Sequence, residues 1–242
     1  MENNGKILGV VGGLGPLATA RFIELITEFT DADSEQDHLN MIVYSFPSIP
    51  DRSDFIMGYY LKSPLHRLLY VANELTRQNV DRIAIPCMTA HYFHNSLSER
   101  IGVPIINAIE ETARYLKENG VKRAGIMASE GTVSSGLFHK AFERYGIEAI
   151  VPSSEQQNNV SHLIYKNIKA CLPADMDRFH SVEAELRNQG AEVIVLGCTE
   201  FSLIKRDHIL GPGYLDAMEV LAQQAVLQCG KQMKRDKRYL IT

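Results

Sequence analysis

Two cysteines that stand at the ends of apolar runs are the residues best suited to chemistry in this sequence. Cys87 closes the run "RIAIPC" and is followed by Met88 and Thr89, while Cys198 closes "VIVLGC" and is followed by Thr199. A cysteine in such a position can be a buried structural thiol, a metal ligand or a nucleophile. The surrounding sequence is needed to choose among these roles.

The two cysteines occupy matching positions in a weak internal repeat. Residues 78–87 read "QNVDRIAIPC", and residues 189–198 read "QGAEVIVLGC". Each segment opens with Gln, has an acid at its fourth position, continues through an apolar run and ends in cysteine at its tenth. The match favours a paired role for Cys87 and Cys198 over two unrelated buried thiols.

A pair of opposed thiols can invert a stereocentre. One thiolate removes a proton from a carbon atom, and a thiol on the other face returns one. Thr89 and Thr199 are well placed to donate hydrogen bonds that favour a thiolate. A zinc site built from Cys87, His91 and His94 is a weaker alternative, since its Cys-x3-His-x2-His spacing matches no common set of zinc ligands.

The elements that must position these thiols alternate along the chain. Short β-branched runs alternate with longer segments in which apolar residues recur at helical spacing. This alternation predicts an α/β fold of parallel βαβ units with helices on both faces of the sheet. The predicted strands are 7–13, 40–46, 82–87, 103–108, 123–129, 148–152, 193–198 and 213–216. The predicted helices are 16–29, 62–78, 109–120, 133–145, segments within 155–189, and a last helix after 216.

The chain is predicted to form two similar α/β domains. The glycine-ended run "GVVGG" at 9–13 resembles "GIMAS" at 125–129, which extends the repeat. We predict a first domain from residues 1–110 and 213–242, and a second domain from residues 111–212. Ligands of open parallel sheets bind beyond the carboxyl ends of the strands, where both cysteines stand. Two halves that face each other would present both thiols to one cleft.

Composition and charge are those of an ordinary globular protein. The 242 residues include 22% charged residues and carry a net charge of -4, so we expect no nucleic-acid partner. The basic cluster at 231–238 is interpreted as a solvated tail or helix end. No apolar run reaches transmembrane length, and "MENNGK" lacks the apolar stretch of a signal peptide. We therefore expect a cytoplasmic protein with no membrane partner, whose four cysteines form no disulfide framework.

Five stretches occur in order over about residues 6–230, namely "GVVGGLGPLATA", "IPDR", "PCMTAH", "IEETARYLKENG" and "GCTE". Together they resemble the aspartate/glutamate racemases that work without pyridoxal phosphate. The resemblance is to the aspartate racemase branch, because glutamate racemases carry an Asp-Ser-Gly motif after the first strand and a histidine after the second Cys-Thr pair. Here Gly12 and Gly13 replace the former, and Glu200 follows Thr199.

The resemblance implies two α/β domains related by pseudo-twofold symmetry, with the active site in the cleft between them and often in a homodimer. It implies neither a cofactor nor a metal. By position, Cys87 and Cys198 match the acid/base pair, Arg52 a residue that holds the side-chain carboxylate, and Lys169 a lysine near that carboxylate. Backbone N–H groups of the loop 13–15 can approach an anion closely. The implied substrate-binding set is Gly13, Leu14, Gly15, Arg52, Met88, Thr89, Lys169, Thr199 and Glu200.

Met88 departs from the family pattern, in which asparagine usually follows the first cysteine. Either Met88 faces the substrate and makes the local surface more apolar, or it packs against the second half while Thr89 makes the polar contact. Two further alternatives stay open, in which Arg52 is a surface turn residue and Lys169 a solvated helix residue.

The sequence thus predicts a cofactor-independent amino-acid racemase with aspartate as its substrate. The alternatives are a racemase of glutamate or of broad specificity, a relative that performs another isomerisation such as that of maleate, and a catalytically silent protein that binds an acidic amino acid. Retention of both cysteines argues against the silent protein. The expected partners are a small-molecule amino acid and a second copy of the chain.

Overall fold

The computed structural model describes residues 5–242, in which two parallel β-sheets are flanked by helices. The first sheet has the strand order β2-β1-β3, and the second has the order β5-β4-β6-β7. Every named pair of strands is parallel, which confirms the predicted α/β class. The strands are β1 (Ile7–Gly12), β2 (Asn40–Ser45), β3 (Arg82–Ala84), β4 (Arg123–Met127), β5 (Glu148–Ile150), β6 (Val193–Leu196) and β7 (Tyr214–Asp216).

Helices connect the strands, as parallel pairing requires. The α-helices are α1 (Pro16–Phe29), α2 (Arg52–Ile56), α3 (Leu65–Arg77), α4 (His94–Ser98), α5 (Ala108–Glu118), α6 (Glu130–Ser134), α7 (Leu137–Arg144), α8 (Ser154–His162), α9 (Met176–Asn188), α10 (Thr199–Asp207) and α11 (Ala217–Gln228). Short 3-10 turns lie at Glu35–Asp37, Met88–Phe93, Ile168–Ala170 and Arg235–Lys237, and a π-helical turn lies at Leu163–Asn167.

The central strand β1 is covered on both faces. Leu8, Val10 and Val11 have no exposed surface, which explains why the strand is a continuous apolar run. Gly9 lets α3 pack closely against the strand, because a Cβ at this position would lie 3.0 Å from Cγ2 of Val80 and 3.2 Å from Leu75. The site that follows β1 is therefore built on a rigid support.

Three predicted elements differ from the structure. The strand predicted at 82–87 ends at Ala84, since Pro86 has no N–H to donate to a neighbouring strand. The strand predicted at 103–108 is wrong, because this segment forms only an isolated bridge from Ile105 to Ile83. The helix predicted at 133–145 is divided between α6 and α7 at Gly136, whose φ of 67° lies in the left-handed region.

The predicted boundary at residue 213 is displaced by one strand. β7 pairs with β6 in the second sheet, whereas the sequence interpretation assigned it to the first domain. The following helix α11 packs on α1 and α5. For the described residues we therefore propose one domain of 5–110 with 217–242 and another of 111–216. One apolar cluster runs through both sheets and includes Val10 of β1 and Ile126 of β4.

Candidate active site

Both cysteines border one narrow cavity between the two halves, which we call the cysteine cavity. Its volume is about 290 Å³ including its opening to solvent. Cys87 follows β3 and Cys198 follows β6, so each half supplies one thiol from beyond the carboxyl end of a strand. The other predicted site residues that line this cavity are Leu14, Arg52, Met88, Thr89, Lys169, Thr199 and Glu200.

Cys198 donates a hydrogen bond to a carboxylate. It precedes the first residue of α10, and its Sγ lies 2.8 Å from Oε2 of Glu200. Burial and the negative charge of Glu200 raise the pKa of the Cys198 thiol well above its ordinary value, against an opposing effect of Lys169. This arrangement keeps the thiol of Cys198 protonated, and it gives Glu200 a specific partner that the sequence did not indicate.

Cys87 lies beside the guanidinium group of Arg52. The thiol is 5% exposed, and the backbone N–H of Cys87 donates to the carbonyl of Ile85 at 2.7 Å. Burial lowers the pKa of Arg52, but interactions with Cys87 and Asp51 raise it above its ordinary value. The two thiols therefore have different neighbours, a cation beside Cys87 and a carboxylate beside Cys198.

Arg52 is buried, with 7% of its surface exposed, which argues against the surface-turn alternative. Its Nη2 donates to the carbonyl of Leu14 at 2.9 Å, and its Nη1 donates to the carbonyl of Pro50 at 3.1 Å. Nε has no hydrogen-bond partner among the described residues. Both N–H groups of Nη1 face backbone carbonyls, whereas Nε–H and the second N–H of Nη2 remain able to donate to a carboxylate.

Lys169 forms an ion pair across the two halves. Its Nζ lies 3.1 Å from Oδ2 of Asp51 and 4.2 Å from the ring centre of Tyr165. Burial lowers the pKa of Lys169, but Glu200, Tyr165 and Asp51 together raise it above its ordinary value. Lys169 is 29% exposed, so it is neither a freely solvated side chain nor a free cation.

Sequence reasoning missed Asp51, although the residue lies in the quoted motif "IPDR". The carboxylate caps α2 by accepting from the N–H groups of Ser53 and Asp54. Burial raises the pKa of Asp51, but Lys169 and Arg52 lower it below its ordinary value. Its position between two cations was hidden because Asp before a short helix is also the usual N-cap.

A buried cluster of hydroxyl groups joins the halves above the cavity. Thr89 Oγ1 lies 3.0 Å from Ser129 Oγ and 2.9 Å from Thr132 Oγ1, and Ser53 Oγ donates to Ser129 Oγ at 3.0 Å. Thr199 Oγ1 instead donates to Glu200 at 3.4 Å. The expected hydrogen bonds from the two threonines to the thiols are thus not formed in the described chain.

Met88 is 2% exposed and belongs to the apolar cluster shared by both halves. Val10 of the first half and Ala128 of the second are members of the same cluster. Met88 also borders the cysteine cavity. The packing alternative therefore describes most of this side chain, and its cavity-facing surface is apolar.

The two histidines near Cys87 are engaged with the backbone. Nε2 of His91 lies 3.2 Å from the carbonyl of Ile85, and Nε2 of His94 lies 3.1 Å from that of Ile105. Burial lowers the pKa of His91 to about 3, so its ring is neutral. Across residues 5–242, no three His, Cys, Asp or Glu side chains are grouped as ligands of a metal, and the zinc alternative has no structural support.

A larger cavity, which we call the vestibule, adjoins the cysteine cavity. It measures about 1060 Å³ including its opening to solvent, and its lining includes Gly13 and Gly15 of the predicted set. Gly13 has a φ of 86°, and a Cβ there would lie 2.3 Å from the backbone N of Phe46. The residues shared by both cavities are Leu14, Asp51, Arg52, Lys169 and Glu200.

None of the helices formed by residues 5–242 is long and apolar enough to span a membrane. The four cysteines are all free thiols, with Cys171 exposed and Cys229 buried away from both cavities. Of these two, only Cys171 touches the vestibule.

Similarity to known proteins extends over nearly the whole chain. A broad specificity amino-acid racemase of Bacillus subtilis is 26% identical over 234 residues, which are 91% of this chain and 96% of that protein. A glutamate racemase of Limosilactobacillus reuteri is 26% identical over 198 residues, covering 78% of this chain and 72% of that protein.

The same relationship holds in three dimensions. The structure of Picrophilus torridus aspartate racemase has a TM-score of 0.83 and 29% identity, and the match covers 97% of this chain and 98% of that one. Residues 11–225 match the family described as Asp/Glu/Hydantoin racemase. The expected resemblance is confirmed, and the chain belongs to the Asp/Glu/hydantoin racemase family of isomerases.

Proposed function

We propose that this racemase inverts the α-carbon of an amino acid by two-base proton transfer between Cys87 and Cys198, without a cofactor. The observation that carries the proposal is that the two thiols come from different halves of the molecule and border the same buried cavity. An amino acid held between them would have one thiol on each face of its α-carbon.

The unequal surroundings of the thiols suggest how the reaction starts. Cys198 holds its proton because of burial and Glu200, whereas Cys87 as a thiolate is attracted by Arg52. The Cys87 thiolate accepts the α-proton, and the electron pair of the broken C–H bond delocalises into the α-carboxylate. Cys198 then gives its proton to the opposite face and becomes a thiolate, and Lys169 partly offsets the resulting charge. The other enantiomer reacts in the reverse direction.

Aspartate is the substrate that the family comparison favours, because the aspartate racemase of Picrophilus torridus matches almost the whole chain. Lys169 and Nε of Arg52 supply positive charge at the edge of the cavity for a side-chain carboxylate. A broad-specificity racemase is the second candidate. It is favoured by the Bacillus subtilis relative and by the ion pair that already occupies Lys169.

Assembly and location stay proposals that rest on the family resemblance. We propose a homodimer, as that resemblance implies, and a cytoplasmic location, as the sequence analysis expects. Light scattering at several protein concentrations measures the molar mass, and a mass near 27.1 kDa at all of them would contradict the dimer.

The experiment that tests the chemistry follows the α-proton. L- and D-aspartate are incubated with the enzyme in D2O, and NMR and chiral chromatography measure α-proton exchange and inversion. Cys87→Ala and Cys198→Ala should each abolish racemisation, and the serine variants should be nearly as inactive because a hydroxyl is a far weaker acid than a thiol. Cys229→Ala is the matched control, since Cys229 borders neither cavity.

Comparison of α-proton exchange with inversion in each variant distinguishes a two-base mechanism from a one-base mechanism. An alanine variant that keeps one thiol should still exchange the α-proton of a single enantiomer without inverting it. Full racemisation by either alanine variant would end the two-base proposal. Tight binding of aspartate with no exchange of any amino acid would instead identify the silent binding protein.

A further inference from the structure

The vestibule and the cysteine cavity together have the form of a two-part binding site. We propose that the vestibule receives the side chain of the substrate, and that the enzyme accepts amino acids whose side chains are longer and more apolar than that of aspartate. This inference rests on the proposed racemase function, because it places the α-carbon between the two thiols.

The cysteine cavity and the vestibule differ in size, and this difference indicates which part of the substrate each of them holds. The cysteine cavity has a volume of about 290 Å³ including its opening, and the proposed mechanism places the α-carbon of the substrate there, between the two thiols. The adjoining vestibule is several times larger, about 1060 Å³ with its opening. The residues that both cavities share lie where the two spaces meet, so a side chain that leaves the α-carbon can extend past them into the vestibule.

The lining of the vestibule is mainly apolar. It is formed by the loop after β1 and the first turn of α1, by the segment between β2 and α2, by the turn at Ile168–Ala170 and by α10. Its apolar members include Leu14, Pro16, Leu17, Ile49, Ile168 and Leu203. Such a surface binds hydrocarbon side chains by removing them from water, and each added methylene that is buried strengthens binding.

The charged groups at the boundary do not select strongly for an acidic side chain. Lys169 is already paired with Asp51 at 3.1 Å, and both Nη groups of Arg52 donate to backbone carbonyls. Glu200 adds a further carboxylate at the boundary. A substrate carboxylate that binds Lys169 must therefore compete with Asp51, whereas an apolar side chain can pass without breaking an ion pair.

The test is a series of unbranched L-amino acids of increasing length. The α-proton exchange of α-aminobutyrate, norvaline and norleucine is measured in D2O beside that of aspartate. We expect kcat/KM to rise by about twofold to fourfold per methylene, the value of burying one methylene. A decrease along the series, or exchange of aspartate alone, would overturn the inference and leave the racemase proposal intact. Exchange of no amino acid would overturn both.

Two variants test whether the side chain of the substrate lies in the vestibule. Leu17 lines the vestibule and is 52% exposed, so Leu17→Gln changes its polarity without loss of core packing. Leu172 is 57% exposed and lines neither cavity, which makes Leu172→Gln the matched control. Leu17→Gln should lower kcat/KM for norleucine by about threefold or more relative to Leu172→Gln, and it should lower the value for α-aminobutyrate by a smaller factor. Equal values for norleucine in both variants would place its side chain elsewhere.

Discussion

At the scale of single residues, the charged groups of the candidate site already contact one another, so a substrate would have to compete with these contacts. Asp51 holds Lys169, and Glu200 holds the thiol proton of Cys198. Each carboxylate therefore occupies a group that could otherwise act on the substrate. If Lys169 binds the side-chain carboxylate of the substrate as proposed, affinity for an acidic side chain depends on Asp51 as well as on Lys169.

Removal of the Asp51 charge should strengthen binding of aspartate. Asp51→Asn keeps an N-cap side chain for α2, because Asn caps helices about as well as Asp, but it frees Lys169 for the substrate. We expect the KM for aspartate to fall by about threefold to tenfold, the effect of one charge-assisted contact. Initial rates of racemisation over a range of aspartate concentrations measure this change.

Two comparisons decide whether the effect has this cause. Asp54→Asn removes a carboxylate from the same helix that is not paired with Lys169, and it should leave the KM unchanged. Asp51→Asn should not alter the KM for α-aminobutyrate, because this amino acid has no side-chain carboxylate. An unchanged or higher KM for aspartate in Asp51→Asn would show that the ion pair does not compete with the substrate.

The residues that lie in recognisable motifs could be identified from the sequence. Those that serve only as hydrogen-bond partners of other site residues could not. Cys87, Cys198, Arg52 and Lys169 are spread over more than a hundred positions and still line one cavity. Ser129 ends the segment "GIMAS", but nothing in the sequence indicated its role, because its hydroxyl partners come from separate elements. Hydrogen-bond partners of this kind depend on how the two halves meet, which a single sequence does not specify.

At the scale of secondary structure, α10 begins just after Cys198. Buried acidic residues at the start of α11 hold it in place. Ser202 of α10 donates to Asp216 at 2.8 Å, and Lys205 of α10 pairs with Glu219 of α11 at 2.7 Å. Asp216 also caps α11 by accepting from the N–H of Met218. The orientation of α10, and with it that of Cys198, is therefore coupled to the protonation of this cluster.

Glu219 should make the stability of the protein depend on pH near neutrality. Burial and the charge of Asp216 raise the pKa of Glu219 from 4.5 to about 7, although Lys205 acts in the opposite direction. Since the folded state binds this proton more tightly than the unfolded state, the free energy of unfolding falls as the pH rises from about 4.5 to about 7. Glu219→Gln should remove that decrease, on the order of 1–3 kcal/mol between pH 5 and pH 8.

Urea unfolding at several pH values measures this difference between wild type and variant. Glu118→Gln serves as the control, because Glu118 is an exposed carboxylate near the end of α5, and its pH profile should run parallel to that of the wild type. A parallel profile for Glu219→Gln as well would show that Glu219 is ionised throughout, held by Lys205.

The secondary structure was predictable where the pattern was long and regular. The 14 residues of α1 agree with the predicted helix 16–29, because its apolar spacing is continuous and Pro16 marks its first turn. Short extended segments were not predictable in the same way. Residues 103–108 have the composition of a strand but pair at a single bridge, since pairing depends on which neighbour is available and not on composition alone.

At the scale of the whole molecule, the candidate active site is formed where the two halves meet. The meeting surface includes the shared apolar cluster and the hydroxyl groups of Ser53, Thr89, Ser129 and Thr132. The helix α2, which carries Arg52, packs against α6 of the second half. At Gly131 in α6 a Cβ would lie 2.7 Å from Cα of Ser53, so only glycine permits this separation.

Gly131→Ala should therefore move the halves apart and disturb the spacing of the two thiols. A carbon–carbon contact of 2.7 Å must lengthen by about 0.7–1.3 Å to reach an ordinary separation, and the atom it meets is backbone, which cannot rotate away. Displacement of reacting groups by about 1 Å can cost roughly a hundredfold in rate, so we expect kcat to fall by about tenfold to a hundredfold. Steady-state kinetics and thermal unfolding measure the two consequences.

Two further glycines distinguish a change at this meeting surface from a general loss of stability. Gly102→Ala introduces a Cβ with nothing within 4 Å and should change neither kcat nor the melting temperature. Gly125→Ala presses on Leu186 at 3.2 Å inside the second half, so it should lower the melting temperature without changing kcat. If Gly131→Ala and Gly125→Ala lower kcat equally, the loss reflects weakened folding, and the close approach of α2 and α6 does not set the distance between Cys87 and Cys198.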